Sequence, residues 1–190
     1  VTHFAAVPTM LRLMVEGERV ERHMHILTGG EAVNSKLSNA LFERWPNASV
    51  HGIYGLTETG TCDLFRCDKT DLPSNDSLGY PARRIQVKTD PSTSELLINT
   101  PFAMLGYLDM PELTDETICD GWIRTGDIAE INKDGGVTLR GRIKDLINRG
   151  GNKVAPIEVE AVFADHPEIK AVLVTGVPDS QFGESIHMLV

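Results

Sequence analysis

Hydrophobic and polar positions change their period once along the chain. Up to Tyr54, short apolar runs alternate with segments whose apolar residues fall three and four apart. Thr2–Val7 reads as a short buried strand. Pro8 suits the first position of a helix that places Met10, Leu11, Met14 and Val15 on one face. His25–Thr28 is a second strand, and Ser35–Arg44 is a helix burying Leu37, Ala40 and Leu41, stopped by Pro46-Asn47. Val50–Tyr54 is a third strand, so the opening segment predicts an α/β layer. Beyond the polar, turn-rich stretch 71–77 the period becomes two. Ile85 and Val87 alternate with Arg84, Gln86 and Lys88, Leu96 and Ile98 follow, and Trp122–Ile131 and Val137–Arg140 flank a turn as hairpin arms. That pattern predicts a small antiparallel sheet or distorted barrel. Pro101–Tyr107 reads as a loop with apolar anchors, Tyr107 among them as a packing residue. Pro111–Thr114 reads as a turn, and Thr114–Thr117 as the start of a short helix. Pro156 opens another helix with Val159, Val162 and Phe163 on one face, and Ala171–Val174 is a strand. The change of period divides the chain into 1–72, the end of an α/β subdomain, and a β-barrel-like subdomain that begins at 73.

Composition narrows this picture. The 190 residues suffice for one sizeable core or two small ones. A formal net charge of -9 argues against non-specific nucleic-acid binding, which needs excess Lys and Arg to track phosphates. Cys62, Cys67 and Cys119 form neither a C-x-x-C pair nor an even set, which points to free thiols and a cytoplasmic protein. No apolar run approaches a membrane span. The chain starts at Val1 rather than Met and ends in mid-pattern, so both ends are expected to be cut.

The candidate chemistry lies at strand ends, where open α/β sheets bind ligands. Gly29-Gly30 after the second strand either lets a flat ligand approach the backbone or makes a tight turn into the next helix. Tyr54 offers a flat face. The Thr57 hydroxyl can donate to a phosphate oxygen and Glu58 can hold Mg²⁺, although a helix start capped by Thr59 uses the same residues. Asp127, just after Gly126, and Arg142, at the far end of the same hairpin, can reach one polar ligand together. His3 and His51 sit in apolar strand-like runs and read as hydrogen-bonded core or pocket-wall residues.

Tyr54-Gly55-Leu56-Thr57-Glu58, Gly121-Trp122-Ile123-Arg124-Thr125-Gly126-Asp127, Gly141-Arg142-Ile143-Lys144-Asp145-Leu146-Ile147 and Val154-Ala155-Pro156-Ile157-Glu158-Val159-Glu160 stand in order. In this combination the chain resembles the adenylate-forming superfamily: AMP-forming acyl- and aryl-CoA synthetases, adenylation domains and luciferases. The resemblance implies that Gly29, Gly30, Glu31 and Ala32 border the adenine and acyl pocket. Tyr54 would stack on adenine, Thr57 contact the α-phosphate and Glu58 bind the metal. Asp127 would hold the ribose hydroxyls and Arg142 the ribose and phosphate side. Ile53, Gly55 and Gly60 would lie along the acyl pocket. Lys144 would be the hinge that ends the β-barrel-like subdomain 73–143 and begins a mobile α+β C-terminal lid, 144–190, and Gly150-Gly151 would leave room for pantetheine.

The implied activity is ATP- and Mg²⁺-dependent activation of a carboxylic acid to an acyl-adenylate, followed by transfer to coenzyme A. An aryl-acid AMP ligase or adenylation domain that loads a carrier-protein thiol is the alternative. A non-catalytic nucleotide-binding remnant is the reading of a different class. The upstream Ser/Thr/Gly-rich phosphate loop and the late lid lysine of the family are not in this sequence, so the polypeptide alone is expected to be a fragment with little activity. Unpaired sheet edges would favour self-association as a homo-oligomer.

Overall fold

The structure, a computed structural model, describes residues 2–190 except 32, 34, 61, 69–76, 164, 165, 167, 170 and 171. The expected boundary at 72/73 therefore lies outside the described residues, as do Ala32 and Ala171 among the residues singled out above.

Strands β1 (His3–Ala5), β2 (Met24–Gly29) and β3 (Ala48–Tyr54) pair in parallel, and helices α1 (Pro8–Met14) and α2 (Ser35–Arg44) connect them. Along β2 burial alternates: Met24, Ile26 and Thr28 face inward, as a half-buried strand requires. Leu11, Leu37, Leu41, Trp45 and Val50 complete that core.

The sheet does not stop where the sequence changes period. Strand β4 (Leu64–Asp68) runs antiparallel to β3, and β5 (Ser77–Pro81) antiparallel to β4. Strands β6 (Gln86–Thr89), β7 (Glu95–Asn99), β8 (Ile118–Cys119), β9 (Trp122–Ile131) and β10 (Val137–Arg142) follow. Ten strands join in one sheet along the path β1-β2-β3-β4-β5-β10-β9-β7-β6, with β8 on β9. A second core, with Leu64, Leu96, Ile98 and Val137 fully buried, fills its antiparallel half. Truncating Leu96 to Ala there would cost about 2–5 kcal/mol. The α/β part and the barrel-like part thus share one curled sheet.

Helix α3 (Pro111–Thr117) begins at Pro111, three residues before the expected start, because proline lacks the N–H that a first helical turn would leave without an acceptor. After β10, a 3₁₀ turn at Ile143–Asp145 leads into a separate four-stranded sheet, order β12-β11-β14-β13. Its strands are β11 (Ile147–Arg149), β12 (Asn152–Val154), β13 (Leu173–Asp179) and β14 (Gly183–Leu189), and helix α4 (Pro156–Phe163) packs on β13 and β10. Among the described residues no helix is long and apolar enough to cross a membrane.

Candidate functional site

A cleft of about 180 Å³ opens past the carboxyl ends of β2 and β3. Gly30 and Glu31 form one side, Ile53, Tyr54 and Gly55 another, and Asp127, Leu139 and Arg142 close it from the β9–β10 hairpin, with Ile157 of α4 at the rim.

Asp127 is the fixed point of this cleft. Its side chain is 2% exposed, and each carboxylate oxygen holds one donor. Tyr54 Oη donates to Oδ2 over 2.6 Å, and Arg142 Nε donates to Oδ1 over 2.8 Å. Burial, reinforced by the adjacent carboxylate, pushes the Tyr54 phenol far above its ordinary pKa, so it stays a donor. The support continues behind Asp127. Its own N–H donates to Thr125 Oγ1, and the Thr125 hydroxyl donates to the Leu96 carbonyl. Glu95, only 3% exposed, accepts from the Gly126 N–H over 2.9 Å and from the Arg124 guanidinium. A buried carboxylate needs such partners. Nothing in the sequence reading singles out Glu95, because its partners are 29 and 31 residues away.

Thr57, Glu58 and Gly60 lie on the next turn, a 3₁₀ turn at Thr57–Thr59. Thr57 is exposed and Glu58 half-buried. The buried Thr59 hydroxyl accepts from the Leu56 N–H and donates to the buried Asp63 carboxylate. The loop 101–107 straps this turn. Met104 N–H donates to the Glu58 carbonyl over 2.8 Å, and Tyr107 Oη donates to Glu58 Oε1 over 2.7 Å. Tyr107, read as a packing residue, is therefore also a polar anchor for Glu58, across 49 residues of sequence. Gly60 has φ +86°, and a Cβ there would sit 3.0 Å from the Phe102 Cβ, so the strap closes only over glycine.

Ile53 also borders a second groove, and Gly29 lines this groove rather than the first cleft; apart from Thr28 its lining is apolar, with Ala5, Val7, Met10 and Leu27. Along the same face of the strands runs a histidine row: His25 Nδ1 and His51 Nε2 share a hydrogen bond of 3.0 Å, and His3 stacks on His25 with ring centroids 4.5 Å apart. His51 is half-buried as expected, whereas His3 is exposed because β1 is the edge strand. Neither lines the cleft. Lys144 is exposed in the turn joining the two sheets. Gly150 and Gly151 form the exposed turn between β11 and β12, away from the cleft lining, with the Gly150 N–H bonded to the Phe182 carbonyl.

A family profile described as AMP-binding enzyme matches residues 1–108. The chain is 32% identical over 206 residues to a fatty acid–[acyl-carrier-protein] ligase, ScoC, of Streptomyces coeruleorubidus, covering all of this chain and 40% of that protein. It is 34% identical over 173 residues to 4-coumarate–CoA ligase-like 1 of Arabidopsis thaliana, covering 84% of this chain and 32% of that one. Among solved structures, the O-succinylbenzoate coenzyme A synthetase MenE of Bacillus subtilis, in complex with ATP and magnesium ion, superposes with a TM-score of 0.84 at 27% identity, over 99% of this chain and 41% of that one. The chain thus spans no more than about 40% of these relatives' length.

Proposed function

Because the chain belongs to the AMP-binding enzyme family, we propose that the intact protein activates a carboxylic acid with ATP and passes the acyl group to a thiol. The acid's carboxylate oxygen attacks the α-phosphorus and pyrophosphate leaves. The thiol sulfur then attacks the acyl carbon, and AMP leaves with the carboxylate's oxygen. Adenylation makes this second step feasible because AMP is a far better leaving group than hydroxide.

The observation that carries the reading is the clamp on Asp127. A carboxylate offers about four lone-pair sites, and Tyr54 and Arg142 fill one on each oxygen. Two acceptor positions remain, a match for the vicinal hydroxyls of a ribose. The Tyr54 ring then stacks on the base opposite Gly30 and Glu31. Arg142, 52% exposed, keeps donors for the ribose and phosphate side. Thr57 faces the α-phosphate. Glu58 is a hard oxygen ligand suited to Mg²⁺, with Oε1 already steadied by Tyr107; the ion would offset phosphate charge. The apolar groove at Gly29 and Ile53 favours an acid with an apolar tail, and we assign Gly55 and Gly60 to the same acyl side. Lys144 is the swivel between the sheets, and Gly150-Gly151 comes to the thiol side when the second sheet turns.

Coenzyme A is the first choice of acceptor. The likeness to a ligase acting on an acyl carrier protein supports a carrier thiol as the alternative. Acid-dependent ATP–pyrophosphate exchange on the intact protein, over a panel of fatty and aryl acids, tests the proposal. Exchange with one class names the acid, and adding coenzyme A or a carrier protein separates the acceptors. Nucleotide binding with no exchange for any acid would favour a non-catalytic role.

A further inference from the structure

Three residues in one row across the sheet face the same cleft and have no part in the roles above. Thr28, Gly52 and Arg66 are successive register partners on β2, β3 and β4. All three line the cleft, on the face that Tyr54 shares two residues beyond Gly52. Thr28 is 3% exposed, and its hydroxyl oxygen is buried without a hydrogen-bond partner among the described residues. Such a group is costly unless a ligand completes it. Gly52 contributes no side chain, and the Arg66 side chain crosses the space this leaves: a Cβ at Gly52 would meet Arg66 Nε at 3.4 Å. Arg66 is 8% exposed, and its Nη1 donates to the Ser77 carbonyl over 2.8 Å.

The inner end of the cleft therefore presents a donor-only cation and, two strands away, a hydroxyl that either donates or accepts. An aliphatic chain has nothing to offer either group. A flat heteroaromatic ring bearing an acceptor nitrogen beside an amine satisfies both, and the Tyr54 ring adjoins this row. We infer that Thr28 and Arg66 read the outer edge of the purine base, Arg66 donating to a ring nitrogen and Thr28 accepting from the exocyclic amine. This rests on the nucleotide reading above and extends it to base selectivity. A 6-oxopurine turns that ring nitrogen into a donor, against a guanidinium that cannot accept. A purine without the 6-substituent leaves Thr28 unsatisfied.

The test is equilibrium binding of ATP, ITP and purine riboside triphosphate to the intact protein by calorimetry, without acid. Both analogues are expected to bind about tenfold more weakly than ATP. Thr28→Val, nearly the same shape, should abolish the preference for ATP over the riboside analogue. Arg66→Met should abolish the preference over ITP while leaving the KM for the acid unchanged. The analogue series on the unaltered protein and Thr28→Val decide the matter even if the arginine variant fails to fold. Equal binding of the three nucleotides overturns this inference alone. So does a raised acid KM with intact nucleotide affinity in Arg66→Met, because the guanidinium then serves the acid. Failure to bind any of them overturns the proposed function together with it.

Discussion

Asp127 and Arg142 are register partners on β9 and β10, and the guanidinium Nε donates to the carboxylate over 2.8 Å. Their burial is unequal: the Asp127 side chain is 2% exposed and that of Arg142 52%. The carboxylate, also gripped by Tyr54, is the fixed member, and the arginine is oriented by it while remaining open to solvent.

Asp127→Ala removes the acceptor that both donors point to. ATP affinity of the intact protein is expected to fall about tenfold or more, since hydrogen bonds to a charged group are worth about 1.5–3 kcal/mol. Asp127→Asn, which keeps one acceptor oxygen, should fall between. Calorimetric titration reads this, and unchanged affinity in the alanine variant would remove the ribose role.

Tyr107→Phe takes the hydroxyl from Glu58 and leaves the strap's Met104 contact in place. Pyrophosphate exchange should drop about tenfold, with a higher Mg²⁺ concentration needed for half-maximal rate and an unchanged KM for the acid. A loss of thermal stability with no change in the Mg²⁺ dependence would mean that the hydroxyl only packs the loop.

Asp63 gives a pH prediction. Burial pushes its carboxyl above the ordinary aspartate value, partly offset by the Thr59 hydroxyl and the Leu56 backbone. The folded state therefore holds this proton more tightly than the unfolded chain does. Its contribution to stability is complete below the ordinary value and is lost as pH rises through the raised one. Asp63→Asn cannot ionise and keeps a carbonyl to accept from Thr59. Its Tm relative to the parent should improve from pH 3.5 to pH 7, which thermal melts across that range would show. A constant difference would contradict a raised carboxyl.

Lys144→Pro stiffens the one short turn between the ten-stranded and four-stranded sheets. If the second sheet must swing for thiol transfer, thioester formation should fall at least tenfold further than pyrophosphate exchange. Parallel losses in both half-reactions would count against a swivel here.

Much of this was legible in the chain itself. Strand–helix alternation up to Tyr54 and the period-two arms of β9 and β10 were readable because apolar residues there serve a single core face. The clustering of Tyr54, Asp127 and Arg142 was expected from ordered motifs. What was hidden depends on distant contacts. Strand β4 carries Arg66 at an inward position, which breaks the apolar alternation because its partner Gly52 leaves it room. Tyr107 looks like any loop aromatic until the strap brings it to Glu58. Strands β11 and β12 have three residues each, too few to show a period.

The hairpin holds one more consequence. Between the pairs Leu139–Ala129 and Gly141–Ile128 the ladder shifts by one residue. It is a bulge on β10. Closed flat from Leu139 onward, the same ribbon would set Gly141 against Asp127 and move Arg142 on to Gly126. Such a protein would keep its strands and its far-ultraviolet spectrum, yet offer the carboxylate a bare glycine where a guanidinium belongs. Correct assembly at this corner is a matter of counting residues, and measures of bulk folding are blind to the count.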